Sequence, residues 1–176
     1  MITSRYESIA SLIGKEGAFS DHPADSGGAT KYGITHQTLS AWRGRPVSAQ
    51  EVSELTVPSA VKIYSGLYWD RNNLSSLDIG VAHFIMDSVV QHGQAPVKWL
   101  QKLVRVNADG ILGAITAAAI SKADPYFIIH KLAVKRNFFY EGLGNYAVFK
   151  NGWKDRLFAV VIEATQSVGA AHAEYE

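Results

Sequence analysis

GKEGAFSDHPADSGGATKYGIT, residues 14–35, begins on a helical pattern and then abandons it. Upstream, Ile2, Tyr6, Ile9, Leu12 and Ile13 recur at helical spacing, so residues 3–15 read as an amphipathic helix capped near Thr3 or Ser4. Glu16 stands three residues beyond Ile13, four beyond Leu12 and seven beyond Ile9, which puts it on the apolar face. Gly17 then ends the helix, and residues 18–34, punctuated by DHPAD and SGG, read as a small irregular β-hairpin. An acid on an apolar face is desolvated, which raises its pKa towards that of a general acid. The plain alternative is a helix-terminal Glu tipped into solvent. Asp25 sits in a polar turn beside Ser26 and Thr30 and is expected to stay ionised; its plain alternative is an Asp capping its own turn.

Beyond the hairpin nearly every pattern is helical. Thr35 caps a helix reaching about Arg43, Ser48 with Glu51 has capping-box spacing, and Thr56 with Pro58 opens a helix running through AVKIYSGLYW. DIGVAHFIMDSVVQHG is apolar nearly all round and ends on Gly93, as a buried central helix does. APVKWLQKLVR, the turn NADGILG and AITAAAIS follow. Asp124 and Pro125 start a long helix to about Glu141, and WKDRLFAVVIEATQSV is the last. The expected fold is mainly α with one small irregular β-hairpin near the N-terminus. Residues 1–90 form one segment and 91–176 a second, packed with the first as one compact domain.

Composition narrows the chemistry. With 47% hydrophobic and 19% charged residues the chain is globular, and its formal charge of +1 supplies no global field for nucleic acid. Residues 1–90 carry seven Lys/Arg against nine Asp/Glu, and 91–176 carry ten against seven, a lean that suits an anionic envelope as well as an ordinary solvated surface. There is no cysteine, and the six His lack HxxxH or HExxH spacing, so neither a disulfide nor a metal site is expected. No run reaches membrane-span length, and the N-terminus lacks the pattern of a secretory signal, so synthesis in the cytoplasm without stable membrane insertion is expected. Two carboxyl groups pushed apart in pKa are what glycoside hydrolysis uses: one protonates the leaving oxygen, the other stabilises the cation or activates water.

At this point the stretch resembles the signature of glycoside hydrolase family 108, the lysozyme-like N-acetylmuramidases of phages and their bacterial relatives. The matching residues are Glu16, Gly17, Phe19, Pro23, Asp25, Gly27, Gly28, Thr30, Gly33, Ile34 and Thr35; Ala18 stands where the family prefers a second glycine. LYWDRNNLSSLDIGVAHFIMDSVVQHG resembles the family's Y-W-D stretch and its helix with an Asp before a terminal Gly. WLQKLVRVNADGILGAITAAAI resembles the LQ…DGxxGxxT pattern of the peptidoglycan-binding segment that follows, and NGWKDR its closing G-W-x-x-R. The resemblance implies a lysozyme-like helical fold, Glu16 as general acid, Asp25 and Thr30 as its partners, and a cut of the β-1,4 bond from N-acetylmuramic acid to N-acetylglucosamine. A water oriented by the Thr30 hydroxyl would make that cut inverting, and the separation of the two carboxyl groups decides between inversion and retention. It implies no cofactor, a monomer, and endolysin-type action on peptidoglycan in the periplasm after release by a holin or secretion apparatus.

Further residues have two readings each. Tyr68 and Asp70 are candidates for sugar contact at a helix end, while Trp69 reads equally as a core anchor. Tyr32 is a candidate cleft wall or a hairpin packing residue. Asp87, in an apolar helix, either lines the cleft and binds substrate or makes a buried structural hydrogen bond. The DGILG turn reads as a helix–helix connection rather than a calcium loop, having one acid where several are needed. Lys131, Lys135 and Arg136 read first as a solvated face and second as a contact for anionic wall polymer. Rival functions are a lytic transglycosylase and a non-catalytic wall-binding module; a nucleic-acid binder lacks its basic stripe.

Overall fold

Capping side chains set where this chain turns helical. In the computed structural model, which describes residues 1–15, 19–20 and 28–170, helix α1 (Arg5–Lys15) starts where Ser4 accepts the Glu7 amide at 3.2 Å and Glu7 accepts the Thr3 amide at 2.7 Å. Thr35 accepts the Thr38 amide to open α2 (His36–Arg43), and Thr56 accepts the Ser59 amide to open α4 (Val57–Tyr64). Ser48 and Glu51 form a reciprocal capping box at α3 (Ala49–Ser53). These three caps are the ones the sequence announces, and α2 also ends where expected, at Arg43.

The architecture among the described residues is mainly α and lysozyme-like, with one two-stranded antiparallel sheet, β1 (Thr30–Lys31) and β2 (Ile34–Thr35). After α4 the helix widens into a π-helix over Ser65–Asp70, where a continuous α-helix is expected from sequence. The Trp42 ring packs over Gly66 so closely that an added Cβ would lie 2.7 Å from it. A 3-10 turn (Leu74–Ser76) precedes α5 (Ile79–His92), followed by α6 (Ala95–Leu103), α7 (Ala114–Ile120), α8 (Pro125–Glu141) and α9 (Tyr146–Ser167). Helix α9 begins seven residues before the expected Trp153. Gly152 is a poor helix former, but Phe149, one turn before Trp153, stacks on it with centroids 5.7 Å apart and carries the helix through.

The chain folds as two compact units, one of Ile9–Leu67 and one of Met1–Ser8 with the chain from Tyr68 onward. The smaller buries Ile9, Leu12, Ile13, Ile34, Leu39, Val52, Ile63 and Tyr64. The larger is built round α5, in which every residue from Ile79 to Val89 is buried. Helices α6, α8 and α9 pack against α5, and Asp78 joins two of its ends. One Asp78 oxygen accepts the Gly80 and Val81 amides at the start of α5, and the other accepts the Gly169 amide beyond α9 at 2.9 Å.

At Gly80 the α5 backbone meets α9: a Cβ there would lie 2.3 Å from the Ala164 carbonyl oxygen. Gly80→Ala must push the two helices apart, and overpacking of this kind typically costs about 1–3 kcal/mol. A urea-unfolding midpoint lowered at unchanged slope is the expected result; an unchanged midpoint would show that this contact yields freely.

Candidate active site

The hairpin of the smaller unit is held in an unfavourable backbone conformation. Tyr32 (φ 55°) and Gly33 (φ 72°) both occupy the left-handed region, the requirement of a tight two-residue hairpin turn. Glycine adopts it freely, but a tyrosine does so at a cost. Tyr64 Oη donates to the Tyr32 carbonyl at 2.9 Å, and Lys31 Nζ lies 5.2 Å from the Tyr32 ring centre while donating to the Ser53 carbonyl at 2.6 Å. The Tyr32 backbone is therefore held from α4, and its ring lies beside the Lys31 ammonium that is bonded to the last residue of α3.

Thr30 is held as firmly. It faces Thr35 across the hairpin, and its amide and carbonyl both bond to Ser20 on the other side, each at 2.8 Å. Its hydroxyl donates to the Gly28 carbonyl at 3.2 Å, leaving oxygen lone pairs able to accept. The Ser20–Thr30 pair thus closes the base of the chain segment that carries Asp25. Glu16 directly follows α1, whose Ile9, Leu12 and Ile13 are buried as their spacing requires. Glu16 and Asp25 themselves, with the middle of the hairpin read at residues 18–34, lie outside the described residues.

The other candidates belong to the larger unit. Tyr68 and Asp70 lie on the π-helix. Asp70 is exposed and pairs with Arg5 at 3.0 Å, a contact of little energetic weight in solvent. Tyr68 is half-buried, and its carbonyl accepts the Asn72 side chain at 2.7 Å. Trp69 is fully buried with its indole N–H on Ser75 Oγ at 2.8 Å, a core anchor.

Asp87 is 1% exposed. Its carboxylate is gripped by Arg136 Nη1 at 2.7 Å and by Arg156 Nη2 at 2.9 Å and Nε at 3.0 Å. Of its two readings, this is the geometry of a buried structural pair. Burial alone would raise the carboxyl pKa, but the two guanidinium groups outweigh it and hold the acid below its ordinary value. Arg136 is not on a solvated face: it is completely buried, bonding Tyr140 Oη at 2.6 Å, Ser88 Oγ at 3.0 Å and Gln91. The signal was present, since Ile129, Leu132, Arg136 and Tyr140 share one helical face and are all buried. Two motif residues quoted separately from sequence, the Asp of α5 and the Arg of G-W-x-x-R, are partners in one ion cluster.

Two further networks were missed. Gln101, buried on α6, reaches the whole DGILG turn. Its Nε2 lies 2.7 Å from Asp109 Oδ1, 3.0 Å from the Ile111 carbonyl and 3.3 Å from Thr116 Oγ1, and its Oε1 accepts the Gly110 amide at 2.8 Å. The LQ…DGxxGxxT spacing is the imprint of one side chain holding a turn. Ser8 Oγ, His83 and Glu163 line up at 2.9 Å and 3.0 Å with the connectivity of a hydrolytic triad. Ser8 is 0% exposed and His83 1%, so no substrate reaches the hydroxyl, and the row ties α1, α5 and α9 together instead. Among the described residues no group of three His, Asp or Glu side chains could hold a metal, and no helix is long and apolar enough to cross a membrane.

Against known proteins, residues 9–93 match the family model Glycosyl hydrolase 108, and residues 95–158 match one described as Predicted Peptidoglycan domain. The boundary between the matches falls inside the larger unit, between α5 and α6. The chain is similar to the solved structure of SagA from Brucella abortus, with 40% identity over 93% of this chain and 94% of that one and a TM-score of 0.80. No curated protein matches it.

Stability is expected to fall on acidification, beginning at His92. Burial first, and Arg136 second, lower its pKa from 6.5 to about 4. The unfolded chain therefore binds the proton more readily, and the contribution of neutral His92 is complete above about pH 6.5 and lost as pH falls towards 4. Asp87, also depressed, adds a further loss below its ordinary value of 3.8. His92→Phe, which keeps a ring among Trp99, Phe139 and Tyr140, should flatten the stability profile between pH 6.5 and 4 in urea titrations. A slope equal to that of the wild type would exclude His92 as its source. Asp87→Asn should cost about 3–5 kcal/mol by leaving the buried Arg136 guanidinium and the part-buried one of Arg156 undercompensated.

Proposed function

Because the chain belongs to the glycosyl hydrolase 108 family, and is thereby a glycoside hydrolase of the bacterial cell wall, we propose that it acts as an N-acetylmuramidase. The bond cut is the β-1,4 linkage from N-acetylmuramic acid to N-acetylglucosamine in peptidoglycan, and the outcome is lysis. One observation carries this reading: the matched segment 9–93 contains Glu16, Asp25 and Thr30 at the signature spacing, and Thr30 is held on both sides, by Thr35 across the hairpin and by Ser20.

In this proposal Glu16 delivers its proton to the glycosidic oxygen as the bond to the anomeric carbon breaks. Asp25, ionised, removes a proton from a water attacking the opposite face, so the configuration inverts. The Thr30 hydroxyl already donates to the Gly28 carbonyl, which leaves it suited to accept a hydrogen bond from that water. Tyr32, held by Tyr64 and Lys31, supplies an aromatic face at the hairpin tip against which a sugar ring can stack. Tyr68 and Asp70 are proposed as further sugar contacts. The protein acts on its substrate in the periplasm, as an endolysin-type monomer released by a holin or secretion apparatus.

Mass spectrometry of digested sacculi separates hydrolysis from its rival. Reducing N-acetylmuramic ends are expected; 1,6-anhydro ends, lighter by one water, would mean a lytic transglycosylase, and no new ends a wall-binding module. Glu16→Gln keeps shape but cannot donate the proton, so it should fold with an unchanged melting temperature and lose about 10²–10⁴-fold in rate. A variant retaining a third of wild-type activity would remove Glu16 from the role of acid. Asp25→Asn should also lower the rate strongly at unchanged melting temperature, whereas Asp87→Asn should act on stability.

A further inference from the structure

The ends of α6 and α7 and the first turn of α8 line an open surface cavity of about 190 Å³ in the larger unit. Val104, Ala119 and Ile128 lie on its apolar side with Leu103 and Ala123, and Arg105, Lys122 and the half-exposed Phe127 complete the lining. Lys131 Nζ lies 5.5 Å from the Phe127 ring centre and adds a third cation at that side. Among the described residues no acid lines the cavity; Asp124, next to Ala123, is turned to cap α8 by accepting the Tyr126 amide at 3.0 Å. The matched segment 95–158 as a whole carries ten Lys/Arg against four Asp/Glu, whereas the entire chain is near neutral at +1.

Arg105 is also conformationally unusual. It lies just past the end of α6 at φ 60°, with its amide on the Lys102 carbonyl and the Val106 amide on the Gln101 carbonyl. Glycine is the ordinary residue at this helix-ending position, because a side chain there is strained. An arginine kept in such a conformation puts a residue whose guanidinium is a strong carboxylate partner in the lining of a partly apolar hollow. The cavity is smaller than the roughly 300–1,000 Å³ of clefts that enclose larger ligands, so it suits a chain end or small side chain rather than a disaccharide.

We propose that this cavity is a wall-anchoring subsite for the peptide stems of peptidoglycan, not for its glycan. A small apolar side chain of the stem packs on Val104, Ala119 and Ile128, while a stem carboxylate lies between Arg105 and Lys122. The proposal rests on peptidoglycan being the substrate, and adds which part of it the second segment grips. The competing role for both cations is to offset the carbonyl ends of α6 and α7, which would affect stability alone.

The test is co-sedimentation of the full chain at low temperature with intact sacculi and with sacculi stripped of stems by an amidase. Wild type should bind stripped sacculi several-fold more weakly. The double variant Arg105→Gly with Lys122→Gln should bind intact sacculi as weakly as wild type binds stripped ones. Arg105→Gly alone should lose part of the binding without a lower melting temperature, since glycine suits φ 60°; if the double variant melts early, this single variant decides. Equal binding of wild type to both preparations, or full binding by Arg105→Gly, overturns the proposal. Digestion of intact sacculi alongside keeps the two readings apart. A wild type that digests but shows no stem preference sinks only this inference, and one that neither binds nor digests sinks the muramidase reading with it.

Discussion

The larger unit depends on one buried carboxylate. Asp87 sits in the middle of α5, a helix with almost no polar surface of its own, and it reaches Arg136 on α8 and Arg156 on α9. An isolated charge in that setting would neutralise or unfold its surroundings, so the three groups persist only together. Because each comes from a different helix, the cluster specifies how α5, α8 and α9 face one another in a way that interchangeable apolar contacts would not. Gln91, Ser88 and Tyr140 take up the remaining Arg136 donors, and His92 stays neutral beside them. Removing one charge therefore disturbs several neighbours at once.

The smaller unit is organised on another principle, local geometry held under strain. Its sheet is only two residues long on each strand, too short to be stable alone. Long side chains brace it instead: Tyr64 and Lys31 bond backbone carbonyls of Tyr32 and Ser53, and Ser20 completes the free edge of Thr30. Such bracing suits a hairpin that must present particular groups, since hydrogen bonds from neighbouring elements hold the strained turn at Tyr32. The reach of Gln101 over the DGILG turn repeats the device in the other unit, where one amide side chain replaces a layer of core.

Much of this was legible in the residues. Thr35, Ser48, Thr56 and Asp124 each announce a helix start because capping is a local event, settled within three or four residues. Ile9, Leu12 and Ile13 are buried as their spacing requires, and the apolar run of α5 marks its central place. Of the candidate site, a small hairpin near the N-terminus was legible, but its turn at Tyr32 and Gly33 was not among the DHPAD and SGG signals that announced it. The π-helix was not, nor was the early start of α9, because both depend on contacts made after the chain has folded: Trp42 over Gly66 and Phe149 on Trp153.

The sequence by itself determined the helices, the hairpin and, through the spacing of Glu16, Asp25 and Thr30, the family. Those are matters of short-range periodicity and fixed offsets along the chain. Only the tertiary structure decided which polar residues are partners. Asp87 and Arg156 are 69 residues apart, Ser8 and His83 are 75 apart, and Tyr64 meets Tyr32 across 32. In sequence Asp87 reads equally as a cleft or a buried residue, and Arg136 reads as a solvated one, because the energy of a charge depends on what surrounds it in space. In this protein the partners that make burial tolerable are supplied by distant helices.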